Sequence, residues 1–407
     1  MDIFVDRARM RAILRVCLYL LTAYPVIDYV LHVHPLTIFG EVWDKVFLLG
    51  FAWYAWLERP HDPYDKTQRA IVYVVLLGIA FLLLDVGDLN ATFAGFRDDY
   101  TAMLFVLVIP YVMTKDDLVP LLKWVVMIGF LIAIHGVYQY VVKIPNPAAW
   151  ADPLQHERTR VYSIFGSPNI LGSYMAFIAP LAVGLALYEK RRGPRLYFAL
   201  AALASALTLL FTFTRGAWVA FFVGTLVFTW LVNRRLTIAV LILAVLGVAF
   251  VHPITSRVTE LFNPVYLSKE FANGRIARWI NAYDQMRTSP LFGVGMGHYG
   301  GAVASQYFGV IYVDNYYAKT LAETGIVGLL ALLSLFAIYL RQVFLVWKRA
   351  TSPQLRYVLA GVVSSLTVLI VHNAMENVFE EAPMYLLFWL VGTAALVYGR
   401  QELSDHA

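Results

Sequence analysis

Charge is what this chain has least of. Only 14% of its 407 residues are Asp, Glu, Lys or Arg, against about 25% in a typical soluble domain. An ordinary water-soluble fold is excluded on that ground. Cysteine is nearly absent too. Cys17 is the one example, so no disulfide forms within the chain and no cysteine-based zinc site is available. It lies inside the first apolar run and reads as a packing residue. The net charge of +5 comes from short basic runs between apolar stretches, where Lys and Arg set topology, so no nucleic-acid partner is implied. No repeat is apparent at the period of about 20 to 50 residues that marks solenoids, and no low-complexity linker interrupts the chain. A single transmembrane domain over 1–407 is the simplest organisation.

What is abundant is hydrophobicity, at 60% of residues. Apolar runs fall at 11–33, 38–57, 70–86, 101–114, 119–142, 168–188, 196–213, 217–232, 236–252, 325–346, 357–372 and 383–399. Backbone groups in lipid must bond within their own segment, so the runs are helices. The expectation is an all-α polytopic membrane protein of about 12 spans. Arg7, Arg9, Arg11 and Arg15 lead straight into the first run without a small-residue cleavage site, so that segment is expected to remain as a span.

Basic residues orient the array. Connections 58–69, 115–118, 189–195, 233–235 and 347–356 are short and mostly basic. They are expected on the cytoplasmic side, together with both termini. The other face receives 87–100, 143–167, 214–216, 253–324 and 373–382. The longest of these, 253–324, has amphipathic stretches and glycine clusters, so a folded outer loop is expected there.

Seven arginines stand on the face where topology does not need them: Arg97, Arg158, Arg160, Arg215, Arg275, Arg278 and Arg287. One such arginine reads as a headgroup-snorkelling side chain. As a set they suggest an anionic, phosphorylated ligand, because guanidinium matches phosphate oxygens as a planar fork. TFTRGAW puts Arg215 at a span junction, with Gly216 allowing close approach and Trp218 suited to the interface. In GRIARW, helical spacing puts Arg275, Arg278 and Trp279 on one face. Gly293, Gly295 and Gly297 resemble a phosphate cradle, but no strand-to-helix unit surrounds them, so a nucleotide fold is rejected. Asp314 and Asn315 precede a span, with Glu323 at its entrance. Their residue types favour a helix cap, and a carboxylate there is also placed to act as a general base.

His372 opens HNAMENVFEE, and reads either as a structural histidine or as a second candidate base. Glu376, Glu380 and Glu381 suit either sugar hydroxyls or a solvated loop face. The acid pairs Asp98–Asp99 and Asp85–Asp88 supply too few ligands for a convincing metal site. No metal or other cofactor is expected.

Three segments together resemble the O-antigen ligase and O-antigen polymerase superfamily. They are TRGAW, the GR-x3-W-x10-PLFGVGMG-x-Y stretch, and DN-x-Y-x3-L-x-E-x-G-x2-GLL. RVYSIFGSPNILGSYMAFIAPLA and FRDDY resemble further elements of that family, in the same order. The resemblance implies a glycosyltransferase-C-like membrane fold with a large periplasmic or extracellular loop before the last three spans. It implies a bacterial cytoplasmic (inner) membrane location and surface polysaccharide or lipopolysaccharide assembly. The donor would be a glycan on undecaprenyl diphosphate, and the acceptor a glycan or lipid core. Arg215 and Arg275 would hold the diphosphate, with Arg160 and Arg97 as further anion contacts. Asn315, Arg278, Glu323 and Glu376 would support them or the acceptor.

Ligase members carry a histidine at the position of Asp314. The DN here looks more like polymerase-type or exopolysaccharide members, which leaves ligase and polymerase both open. Two other classes compete. A transporter or flippase would use the same arginines, but transporters often show paired repeats, and none is apparent. A membrane O-acyltransferase fits the outer arginines poorly.

Overall fold

The computed structural model describes residues 6–33, 37–58, 65–84, 87–146, 159–250, 255, 259 and 262–405. Among these the regular structure is helical throughout. Helices α1 (Arg7–Thr22), α2 (Tyr24–Val33), α3 (Thr37–Glu58), α4 (Lys66–Leu84), α5 (Leu89–Val108) and α6 (Leu118–Val142) form the first half. Helices α7 (Pro168–Tyr188), α8 (Arg192–Phe211), α9 (Arg215–Val232) and α10 (Arg234–Phe250) follow. Three short helices then lie outside the apolar runs: α11 (Pro264–Ala272), α12 (Arg275–Thr288) and α13 (Ala302–Phe308). The chain ends with α14 (Tyr316–Arg349), α15 (Pro353–His372) and α16 (Ala382–Asp405).

Each expected apolar run is helical over most of its described residues, but among the described residues the spans are fewer by length and composition. Among the described residues, eight helices are long and apolar enough to cross a membrane, or nine if a bent pair counts as one. That bent pair corrects the expected first span, 11–33: α1 and α2 meet at 78°. Pro25 is the second residue of α2. It has no N–H to donate, and its ring obstructs continuation of the preceding turn. The end of the long connection is corrected as well. α14 begins at Tyr316, not at 325, and breaks at Gly325, whose φ is 64°.

Local signals explain the helix starts. Ser167 caps α7 ahead of Pro168, and Ser352 caps α15 ahead of Pro353. Asp88 caps α5 by accepting from Asn90 and Ala91. Such caps satisfy the orphan N–H groups of a first turn.

α7 and α16 are the most enclosed helices. α7 packs against α8, α9 and α15, and α16 against α5 and α14. Tyr339 of α14 donates to the Trp389 carbonyl of α16 at 2.7 Å, amid Phe336, Phe379 and Phe388. The two ends of the array differ in chemistry. At one end Arg15 pairs with Asp117, Lys115 with Glu402 and Arg400 with Asp65. At the other end the segments around 160, 213, 275, 314 and 376 converge.

Candidate active site

Four helices turn their N-termini toward this second end. Arg215 is the first residue of α9, Arg275 the first of α12, and Asn169 the second of α7. Asp314 lies just before the cap of α14. Helix N-termini carry partial positive charge and unpaired N–H groups, so they add to the field of the arginines.

Arg160 is placed by its neighbours. Gln139 of α6 accepts from the backbone of Tyr162 and Ser163 at 3.1 and 2.8 Å. The Val161 N–H donates to the Phe211 carbonyl. With the backbone pinned, the Arg160 guanidinium donates to the Thr212 carbonyl at 3.0 Å, to Asn169 Oδ1 at 3.2 Å and to Thr214 Oγ1 at 3.3 Å. Asn169 passes the connection on, donating from Nδ2 to Glu376 Oε2.

Asp314 is the second hub. Its Oδ2 accepts from Arg275 Nε at 3.2 Å and from Arg278 Nη1 at 3.0 Å. Arg278 also donates to the Tyr312 carbonyl at 2.6 Å, and Trp279 Nε1 to that of Val313 at 3.2 Å. The three residues expected on one helix face thus grip one segment, 312–314. Arg215 donates to the Tyr266 hydroxyl at 3.0 Å, with its guanidinium 4.8 Å from that ring.

Glu376 is nearly fully buried and faces the fields of both Asp314 and Arg275. Burial, and then the Asp314 carboxylate, push its pKa up to about 7, against the pull of Arg275. His372 is buried as well. Its Nδ1 lies 2.6 Å from Ser173 Oγ, and Ser173 donates to the Asn169 carbonyl. That arrangement assigns the ring proton to Nδ1 and leaves Nε2 as an acceptor. Gly216 makes room for the ring: a β-carbon there would lie 2.9 Å from Nε2.

Three non-glycine residues in these loops have left-handed backbone: Ser163, Phe213 and Asp314, at φ 49°, 52° and 50°. Such conformations are uncommon and gather at functional sites.

Other expected site residues lie elsewhere. Asn315 is the cap of α14, accepting from Tyr317 and Ala318 at 3.1 Å each. Arg97 is half-exposed and pairs with its neighbour Asp98. Arg287 pairs with Asp284 on the surface. Arg158 and Asp85 fall outside the described residues. Asp98 and Asp99 diverge, the one to Arg97 and the other to Lys319.

Glu323 belongs to a buried cluster that sequence reasoning missed. Lys319 is 3.1 Å from Asp99, 3.3 Å from Glu323 and 3.3 Å from Glu380. Glu323 also accepts from the Tyr299 N–H at 3.1 Å, and Glu380 from Asn377 at 2.9 Å. Asn377 in turn accepts from the Asn315 N–H at 2.9 Å. The cluster therefore ties α5, the 295–302 loop and the final loop to the segment that carries Asp314. The signal was legible as a lysine one helical turn before Glu323. The glycine-rich stretch serves the same junction, with Gly295 N–H donating to the Glu323 carbonyl at 3.0 Å.

The helices define a polytopic membrane protein with a charged, partly buried site at one end. Residues 199–333 match the family model described as O-antigen ligase. The match spans about a third of the chain, and over that stretch the chain is similar to the O-antigen ligase family. The matched stretch contains Arg215, Arg275, Arg278 and Asp314; Arg160, His372 and Glu376 lie outside it. Among solved structures, a chain from work titled "Structural coordination of polymerization and crosslinking by a peptidoglycan synthase complex" is similar at TM-score 0.49 and 17% identity. The similarity covers 83% of this chain and 98% of that one. No curated protein matches.

Proposed function

We propose that this protein is a metal-independent glycosyltransferase, of O-antigen ligase or polymerase type. It moves a glycan from undecaprenyl diphosphate to an acceptor on the outer face of the cytoplasmic membrane. The observation that carries the reading is the convergence of Arg160, Arg215, Arg275 and Arg278 around the carboxylates Asp314 and Glu376.

In the reaction an acceptor hydroxyl attacks the anomeric carbon, and the bond from that carbon to the phosphate oxygen breaks. Undecaprenyl diphosphate leaves with its charge met by the arginines, a preorganised electrostatic stabilisation. Arg215 and Arg275 take the diphosphate, with Arg160 and Arg278 beside them. The phosphate oxygens compete with Asp314 for Arg275 and Arg278. Displaced from its ion pairs, Asp314 accepts the hydroxyl proton. His372, with Nε2 unprotonated, is the second candidate for that proton. Arg97 lies further along α5 and is assigned a peripheral anion contact.

The test is product analysis after reconstitution with a defined undecaprenyl-diphosphate glycan. A ladder of lengths on the carrier marks polymerisation, and glycan on a separate acceptor marks ligation. Translocation without any new glycosidic bond would replace this reading with a flippase.

A further inference from the structure

A second site lies at the opposite end of the array. Helices α9, α10, α14 and α15 line an open groove of about 630 Å³. Its walls are Leu226, Trp230, Ala337, Leu340, Phe344 and Val363, among others. The groove starts at Thr367, beside the middle of α9 where Gly224 faces Val368, and ends where α9 hands over to α10. It is therefore about half a membrane deep, the reach of one acyl chain and too short for a chain that crosses both leaflets.

One arginine stands in its wall and a second beside it. Arg341 lines the groove and is exposed. Among the described residues it has no carboxylate within ion-pair distance. Arg234 stacks its guanidinium 4.7 Å from the ring of Trp230, a wall residue, and likewise has no such partner. An open apolar groove one leaflet deep, with Arg341 in its wall and Arg234 stacked on its wall residue Trp230, suits an acyl chain with an anionic headgroup. Basic pockets between membrane helices hold anionic lipid headgroups, and arginine suits a phosphate diester.

We infer that this groove binds an anionic glycerophospholipid, its phosphate between Arg234 and Arg341 and one acyl chain along α9, α14 and α15. The site is independent of the glycosyl-transfer reading, since it shares no residue with the arginine cluster.

The full-length protein in detergent, offered equal phosphatidylglycerol and phosphatidylcholine of identical chains, tests this by native mass spectrometry. The wild type should retain phosphatidylglycerol about tenfold over phosphatidylcholine, in line with two arginines near one headgroup. Arg341→Ala should erase most of that preference, and Arg341→Lys should keep part of it. Ala337→Trp, which fills the groove from an exposed helix face, should lower retention of both lipids. Equal retention of the two lipids by the wild type, as for non-selective annular lipid, would overturn the proposal. So would an unchanged preference in Arg341→Ala, or undiminished retention in Ala337→Trp.

Discussion

Arg275 and Asp314 are 39 residues apart in sequence and share a 3.2 Å hydrogen bond between Nε and Oδ2. That one contact closes the long connection on itself. It also holds the guanidinium of Arg275 beside the N-terminus of its own helix, where an anion would dock. The carboxylate occupies the place that the account gives to a phosphate oxygen.

Arg275→Lys tests whether the fork itself matters. Lysine keeps the charge but loses the planar pair of donors. The expected loss in kcat/KM is about 100-fold, or about 2.7 kcal/mol, the size of one lost transition-state donor. Steady-state kinetics on the purified variant check it, and a loss under threefold would count against a bidentate role.

Asp314→Asn removes the proton acceptor while nearly preserving shape. Turnover should fall by about 100-fold or more, with donor binding unchanged or tighter, because a competitor for Arg275 and Arg278 is neutralised. Unaltered turnover would leave Asp314 only its structural role.

Glu376 gives the pH dependence its sign. With a pKa raised by burial to about 7, it is protonated below that value and charged above it. The charge appears beside a site meant for diphosphate, so the donor KM should rise as pH increases through about 7. Glu376→Gln should flatten that rise. The folded pKa also lies above the ordinary carboxylate value of 4.5. Its bound proton therefore favours the folded state at low pH, and that contribution is lost as pH rises through about 7. A donor KM flat from pH 6 to pH 8 in the wild type would contradict this assignment.

Lys319→Met leaves Asp99, Glu323 and Glu380 around an apolar side chain. Breaking a buried ion pair from one side costs about 3–5 kcal/mol, so thermal unfolding in detergent should shift down by several degrees or more. Adding Glu323→Gln should recover part of the loss, since it removes one stranded charge. An additive or worse double variant would show that Lys319 and Glu323 do not act as a pair.

Much of this arrangement was legible before any coordinates. Hydropathy marks the long helices, and the surplus of seven arginines on one face includes Arg160, Arg215, Arg275 and Arg278 along with Arg97, Arg158 and Arg287. Periodicity alone puts Arg275, Arg278 and Trp279 on a common face. Other features depend on contacts that no local pattern encodes. Glu376 meets Asn169 across 207 residues, and Asp99 meets Lys319 across 220. Asp314 and Asn315 look equivalent as cap residues, yet only Asn315 caps α14, because the left-handed backbone of Asp314 carries its side chain to α12. Arg97 shared the charge and apparent side of the other arginines, but its contact is with the adjacent Asp98. The break at Pro25 was readable too, since proline at the second position of a helix marks a start.

The most direct measurement is glycan transfer in proteoliposomes that contain the purified protein, a synthetic undecaprenyl-diphosphate glycan and an acceptor, with no other enzyme. The account predicts a new glycosidic product with the wild type, and none above background with Arg215→Ala or Arg275→Ala of unchanged fold. Full transfer by a correctly folded Arg275→Ala would contradict it.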